Sequence, residues 1–260
     1  MKLIKFKRIT IPLLLLSTLF ISACVNTRTA TYFNDVNDAT LSSNTPIPES
    51  IIQKNDLLSI AVSSLNPDAS AVFNTPNAAG VAGGVNPASG YLVSTDGMIQ
   101  FPVLGSIKAA GLSKEQLKES LVKKLLDKQL LKDPIVSIRF LNFRVTVLGE
   151  VKNPAVVTVP NEKISLLEAI GLAGDLTIYA KRDNVLIIRE EDGNKITKRL
   201  NLNSNELLSS PYYYLKSNDI IYVEPNKAKV ATSGTSQQWL PFVVSGLSLV
   251  IIVLDRVIKK

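Results

Sequence analysis

The chain predicts an α+β protein: two small modules, each a few short strands around one capped helix, followed by a C-terminal membrane-spanning helix. Three stretches carry that prediction. Tyr91 to Ser113 reads as strand, Asp96-Gly97 turn, strand, tight turn at Gly105, strand, then a helix start at which Ser113 and Gln116 have capping-box spacing. A second such spacing, Ser165 with Glu168, opens a short helix behind a valine-rich hairpin pattern. Trp239 to Ile258 is an apolar run about as long as a bilayer core is thick.

Composition narrows the chemistry. The 260 residues carry a formal charge of +7, but Lys2, Lys5, Lys7 and Arg8 supply four of those positives. Without the first 23 residues, 25 basic residues face 22 acidic ones, a balance of +3. That is no concentrated basic face, and no nucleic-acid partner is expected. The sequence has no histidine, which excludes Ser-His-Asp and Cys-His nucleophile systems and every His-bearing metal site. One cysteine excludes an internal disulfide and a Cys-cluster zinc site. No cofactor and no metal are expected.

Lys2 to Arg8 is a basic n-region, and Ile9 to Phe20 a twelve-residue apolar core, too short for a comfortable membrane helix. It leads into Ile21-Ser22-Ala23-Cys24, which has the form of a bacterial lipobox: aliphatic, two small residues, then the cysteine that is acylated. Residues 1–23 read as a lipoprotein signal peptide and Cys24 as the lipidation site. Acyl chains there contribute about 0.8 kcal/mol per buried CH₂. Residues 24–50, polar and broken by Pro46 and Pro48, read as a tether.

The first module, 51–143, opens with Lys54-Asn55-Asp56 before an alternating strand at Leu58, Ile60 and Val62. Residues 66–90 are low in complexity, without helical or strand period, and read as a mobile insertion; the AGVAGG stretch lacks the Lys-Ser/Thr of a phosphate loop. A helix from Lys114 to Lys128 places Leu117, Leu121 and Leu125 on one face. Asp133-Pro134 closes it, and Val136, Ile138 and Phe140 alternate as a half-buried strand.

The second module, 144–228, starts with a hairpin from Val145 and Val147 to Val156, Val157 and Val159, its turn carrying Pro154. The helix opened by Ser165 ends at Ala173 before Gly174. Val185–Arg189 and Lys195–Leu200 pair across a Glu191-Asp192-Gly193-Asn194 tip. Glu190, Glu191 and Asp192 sit on that tip with no apolar pocket to shift them, so catalysis there is not expected. Ser217-Asn218-Asp219-Ile220-Ile221 echoes Lys54-Asn55-Asp56-Leu57-Leu58, a faint internal repeat.

Past a linker at 229–238, residues 239–260 read as a membrane-spanning helix, with Trp239 at one end and Lys259 and Lys260 at the other as interfacial anchors. Wound at 100° per residue, Ser245, Ser248, Asp255 and Lys259 fall within an arc of about 80°. A narrow polar stripe on an apolar helix suits a ring of helices with lipid outside and water within. A plain single-pass anchor has the same length and anchors.

Together these motifs resemble the bacterial outer-membrane polysaccharide export lipoproteins, the Wza-type capsule and exopolysaccharide translocons. In the first module the resemblance lies in Asp96-Gly97, Phe101-Pro102-Val103-Leu104-Gly105, Ala110-Gly111-Leu112-Ser113 and Asp133-Pro134-Ile135-Val136, which look like a polysaccharide export domain. In the second it lies in Leu148-Gly149-Glu150-Val151, Pro154, Leu166-Leu167-Glu168-Ala169-Ile170 and Ala173-Gly174, which look like a soluble-ligand-binding β-grasp (SLBB) domain. Asn55 and Asn218 stand where the family usually has Gly, Ala155 where Gly commonly follows the Pro, and Asp175 where a second Gly is common. Only one β-grasp repeat is evident.

The resemblance implies a non-enzymatic, porin-like conduit: a homo-oligomer of eight copies held in outer-membrane lipid, its bulk in the periplasm. Capsular or extracellular polysaccharide would pass through it, with an inner-membrane co-polymerase as partner. Ser245, Ser248 and Asp255 are then the expected pore-lining residues. The alternative is a periplasmic glycan-binding or adaptor lipoprotein whose tail only anchors. A glycan-cleaving enzyme needs two converging carboxylates, and the sequence offers no such pair.

Overall fold

The structure, a computed structural model, describes residues 30–34, 49–74, 90–191, 193–232 and 235–258. The signal peptide, Cys24, most of the tether and residues 75–89 of the insertion lie outside the described residues.

Strand β1 (Leu57–Ser63) buries Leu58, Ile60 and Val62 and turns Ser59, Ala61 and Ser63 outward, the period-two pattern its sequence carries. It is the middle of a three-stranded antiparallel sheet, β2 (Tyr91–Leu92), β1, β5 (Ile135–Phe140). The β1–β5 ladder runs from Leu58↔Phe140 to Ser63↔Ile135. A separate hairpin joins β3 (Met98–Phe101) to β4 (Gly105–Lys108).

The Asp96-Gly97 turn forms, with the Gly97 N–H donating to the Ser94 carbonyl at 2.9 Å and φ +80° at Gly97. It closes a single pair, the Ser94 N–H donating to the Met98 carbonyl at 2.8 Å, and no ladder extends from it. It links β2 to β3, which belong to different sheets, because β2 takes the open edge of β1 instead (Leu58↔Tyr91). That choice buries Tyr91, whose ring stacks on Phe101 at 5.4 Å and whose hydroxyl donates to the Phe73 carbonyl at 2.9 Å. The hairpin closes one turn later, over residues 102–104.

A helix, α1 (Pro67–Ala71), and a 3₁₀ turn (Val72–Asn74) occupy the first part of the stretch read as a structureless insertion. Asn66 caps α1 by accepting from the Ala69 N–H at 3.2 Å, and Pro67 sits at the first helical position, where its missing N–H costs nothing. Five residues are too few to show a helical period. Buried Phe73 and the paired bonds of the Asn74 amide to the Val62 N–H and C=O, 2.8 and 2.7 Å, tie the stretch to β1.

Helix α2 (Lys114–Asp127) buries Leu117, Leu121 and Leu125, and both capping-box bonds between Ser113 and Gln116 are present. Phe140 and Phe143 meet edge to face at 6.4 Å where the chain crosses into the second module. There Glu162 accepts from the Phe140 N–H at 2.6 Å and pairs with Lys114, joining the modules.

The second module is one five-stranded mixed sheet, ordered β7 (Ala155–Thr158), β6 (Arg144–Gly149), β10 (Ile220–Pro225), β8 (Ala180–Glu191), β9 (Asn194–Leu200). The last strand in sequence is the central one, parallel to β6 and antiparallel to β8. Helix α3 (Leu166–Leu172) covers one face through Leu166, Ala169 and Ile170. Gly149 is required rather than tolerated: its φ is +92°, and a Cβ there would stand 2.0 Å from the Val223 carbonyl oxygen.

The tether is not wholly free. At its middle, Phe33 donates its N–H to the Leu202 carbonyl at 3.2 Å, and Tyr32 and Phe33 pack against the second module's core. The two Asn-Asp motifs are alike in space as well. Asn55 and Asn218 have φ +68° and +66°, and Asp56 and Asp219 accept the N–H groups of Gln53 and Lys216 at 2.7 and 2.8 Å.

Candidate functional site

Because β10 is the central strand, the polypeptide leaves the second module from the middle of its sheet. Asn226 pins the exit. Its N–H donates to the Tyr179 carbonyl at 2.7 Å, and its side chain accepts from the Lys229 N–H at 3.0 Å, capping α4 (Lys227–Thr232). Lys229 lies over the Tyr179 ring at 5.2 Å and 3.7 Å from Glu150, whose other oxygen accepts from the Thr177 hydroxyl at 2.7 Å. Sequence reasoning missed this pin. Its only local signal was an Asx residue immediately before Lys227, since Glu150 and Tyr179 come from remote loops.

Helix α5 (Thr235–Ile258) runs 24 residues, about 36 Å at 1.5 Å per residue. Its large apolar side chains stand free of the modules: Trp239, Phe242, Leu249 and Ile252 are each at least 65% exposed. Trp239 and Phe242 lie one turn apart with ring centroids at 6.1 Å. Ser245 and Ser248 occupy one side of this helix and are exposed. Ser248 donates its hydroxyl to the Val244 carbonyl at 2.9 Å, satisfying the donor within the helix itself.

The side chain of Asp255 and residues Lys259 and Lys260 lie outside the described residues, as does Cys24. Of the expected pore lining, Ser245 and Ser248 are the residues whose side chains are described, and they share one side of α5. Among the described residues no helix is long and apolar enough to cross a membrane. Residues 239–258 are helical as expected, but the expected span is not matched among the described residues.

Among the described residues no three His, Cys, Asp or Glu side chains gather as a metal site. At the tip of β8, Glu191 accepts from the Lys216 ammonium at 2.5 Å, and that bond lowers its pKa below the usual glutamate value. A carboxylate so held is an ion-pair partner and not a proton donor at neutral pH. Asp192 lies outside the described residues.

The described residues thus form two mixed α/β domains, with a helix leaving the second whose apolar side chains stand exposed. The domains themselves are specific. Residues 44–141 match the family described as "Polysaccharide biosynthesis/export protein", and residues 144–199 match the SLBB domain. The chain thus carries a polysaccharide export domain followed by an SLBB domain. It is 32% identical over 156 residues to the EPS I polysaccharide export outer membrane protein EpsA of Ralstonia nicotianae, covering 58% of this chain and 40% of that protein. The protein of that name from Ralstonia solanacearum is 31% identical over 149 residues, 56% of this chain and 39% of the relative. The matched stretch thus spans about two fifths of the length of these relatives.

Proposed function

We propose that this chain is one subunit of an outer-membrane conduit through which a capsular or extracellular polysaccharide leaves the cell. In this reading residues 1–23 are removed, Cys24 is acylated, and residues 24–50 tether the lipid to the export domain (51–143). The SLBB domain (144–228), the linker (229–238) and the terminal helix (239–260) follow. The bulk of the chain lies in the periplasm and catalyses no reaction. An inner-membrane co-polymerase supplies the polymer.

The observation that carries the proposal is α5: a rod whose Trp239, Phe242, Leu249 and Ile252 no part of the modules covers. An apolar surface of that extent is normally buried in lipid or in a partner. Ser245 and Ser248, exposed on one side of α5, are the residues an assembled wall turns toward water. One helix cannot enclose a pore, so the proposal requires a closed ring of copies. Family resemblance sets the number at eight.

Detergent extraction followed by mass measurement and projection imaging tests this. The expected result is a ring several-fold heavier than the 28.3 kDa chain; one or two chains per particle would refute it. A second reading, a glycan-binding or adaptor lipoprotein with α5 as a simple membrane anchor, is favoured by the Ser248 hydroxyl, which donates to the Val244 carbonyl within the helix and so needs no water. Ser245→Leu with Ser248→Leu separates the two. Polymer export falls if these residues face water, and is unchanged if they face lipid.

A further inference from the structure

We infer that Asp175, Arg182 and Leu202 form a docking site for the chain's own N-terminal segment, a clamp on Tyr32 and Phe33 that holds the acylated end against the SLBB domain. What lies beyond the clamp rests on the lipoprotein reading above; the clamp itself does not.

Its two residues are engaged on every side. The Tyr32 hydroxyl donates to the Asp175 carboxylate, and the Arg182 guanidinium lies 5.6 Å from the centre of the Tyr32 ring. The Phe33 N–H donates to the Leu202 carbonyl at 3.2 Å, next to the strand end that closes β9. Burial and the Asp175 bond both push the Tyr32 phenol above its ordinary pKa, so it remains a neutral donor at any physiological pH.

The receiving residues are otherwise hard to explain. Arg182 is 6% exposed, donates to the carbonyls of Ala180 and Thr177 at 3.4 and 3.2 Å, and leaves its Nε without a partner. Among the described residues no carboxylate lies within salt-bridge distance of this buried guanidinium; that is costly, and an aromatic face supplies part of the missing interaction. Asp175 has φ +73°, a conformation that glycine adopts more easily. What Asp offers there and glycine lacks is the carboxylate that accepts the Tyr32 hydroxyl and the Leu176 N–H, the latter at 2.7 Å.

The consequence is one of reach. From Cys24 to the first clamped residue, Tyr32, is eight residues, at most roughly 28 Å of chain. From Cys24 to the export domain at Glu49 is 25 residues, up to roughly 90 Å. The clamp therefore shortens the leash about threefold. It also transfers the leash from the domain that follows it in sequence to the domain from which α4 and α5 depart. Both membrane attachments then converge on the SLBB domain.

Hydrogen exchange on the full acylated chain in detergent tests the clamp. The 31–34 peptide should exchange at least about tenfold slower than an unstructured peptide. Asp175→Gly, which removes the carboxylate while easing the backbone and so should fold, should abolish that protection. Fast exchange at 31–34 in the parent chain overturns the proposal, as does full protection in Asp175→Gly. As a second measure, Phe33→Cys with Leu202→Cys should cross-link in the periplasm, and failure to do so overturns it. Absence of labelled palmitate at Cys24 would overturn the anchoring role together with the lipoprotein reading. None of these arms reads ring formation, so failure of the conduit reading would leave the clamp standing.

Discussion

The two Asn-Asp turns put the same local structure to opposite electrostatic use. In each, an Asn at positive φ precedes an aspartate whose carboxylate accepts a backbone N–H three residues back, and whose own N–H returns a bond to that residue's carbonyl at 3.3 or 3.2 Å. Both carboxylates are buried, Asp56 at 2% and Asp219 at 0% exposure. Asp219 is held by Arg189, itself 5% exposed, through Nε at 2.9 Å and Nη2 at 2.7 Å. Among the described residues Asp56 forms no ion pair, and burial pushes its pKa up to about 6. A turn geometry can thus be repeated within a chain while the charge it buries is compensated in one copy only.

Replacing each aspartate by asparagine breaks the comparison, and the larger effect belongs to Asp219. Asp219→Asn keeps an acceptor for the Lys216 N–H but strips a buried guanidinium of its charge partner. Removing one member of a buried pair typically costs about 3–5 kcal/mol. Arg189 also stacks on Tyr212 at 4.9 Å and donates to the Tyr214 carbonyl at 3.3 Å, so the loss should loosen the 212–214 loop as well. Calorimetry on the full chain should show the SLBB transition lowered by roughly 10 °C or more. An unchanged transition would mean that the pair is already solvated.

Asp56 should behave in the reverse sense. Its folded-state pKa, about 6, lies above the ordinary value of 3.8, so between those two values the folded state holds a proton that the unfolded chain has released. Stability contributed by the protonated form is present below pH 4 and lost as pH rises to about 6, on the order of 3 kcal/mol in all. Asp56→Asn keeps an acceptor for the Gln53 N–H and removes the titration. It should flatten the stability profile of the export domain between pH 4 and 6 and leave the variant equal to or more stable than the parent at pH 7. Denaturant midpoints measured across that range decide the matter, and an unflattened profile would place the titration elsewhere.

What the sequence revealed follows the range of the interactions involved. Both capping boxes, the β6–β7 and β8–β9 hairpins and the β5 alternation are local patterns, and all of them form. The partner of β2 is not local: it is settled by Tyr91 reaching Phe73 and Phe101, contacts that periodicity cannot express. Gly149 was visible as a letter, but its necessity depends on how closely Val223 approaches from 74 residues away. The candidate site was legible as a helix and no further. Whether Ser245 and Ser248 face water depends on neighbouring copies, which one chain does not contain, and the Tyr32-Phe33 dock shows in sequence only as two aromatic residues in a polar stretch.

The capping boxes give the smallest contrast and the most controlled one. Ser113 and Ser165 are both buried and both accept the N–H three residues on, at 3.3 and 3.2 Å. Removing either hydroxyl leaves a helix N–H unpaired, so Ser113→Ala and Ser165→Ala should each lower stability by about 1 kcal/mol. The boxes differ in the returning side chain, neutral Gln116 against charged Glu168. Glu168 accepts from the Ser165 N–H and hydroxyl at 2.7 and 2.8 Å, and the backbone bond foremost holds its pKa below the usual value. Its contribution is present above the unfolded glutamate pKa and lost as pH falls, opposite in sign to that of Asp56. Because Glu168 is largely solvated, Glu168→Gln should cost only a few tenths of a kcal/mol near pH 7, where the helix dipole favours the anion. At a pH below that lowered pKa it should cost nothing, since parent and variant are then both neutral. A deficit of equal size at both pH values would show that the second box is held by shape alone, as the first is.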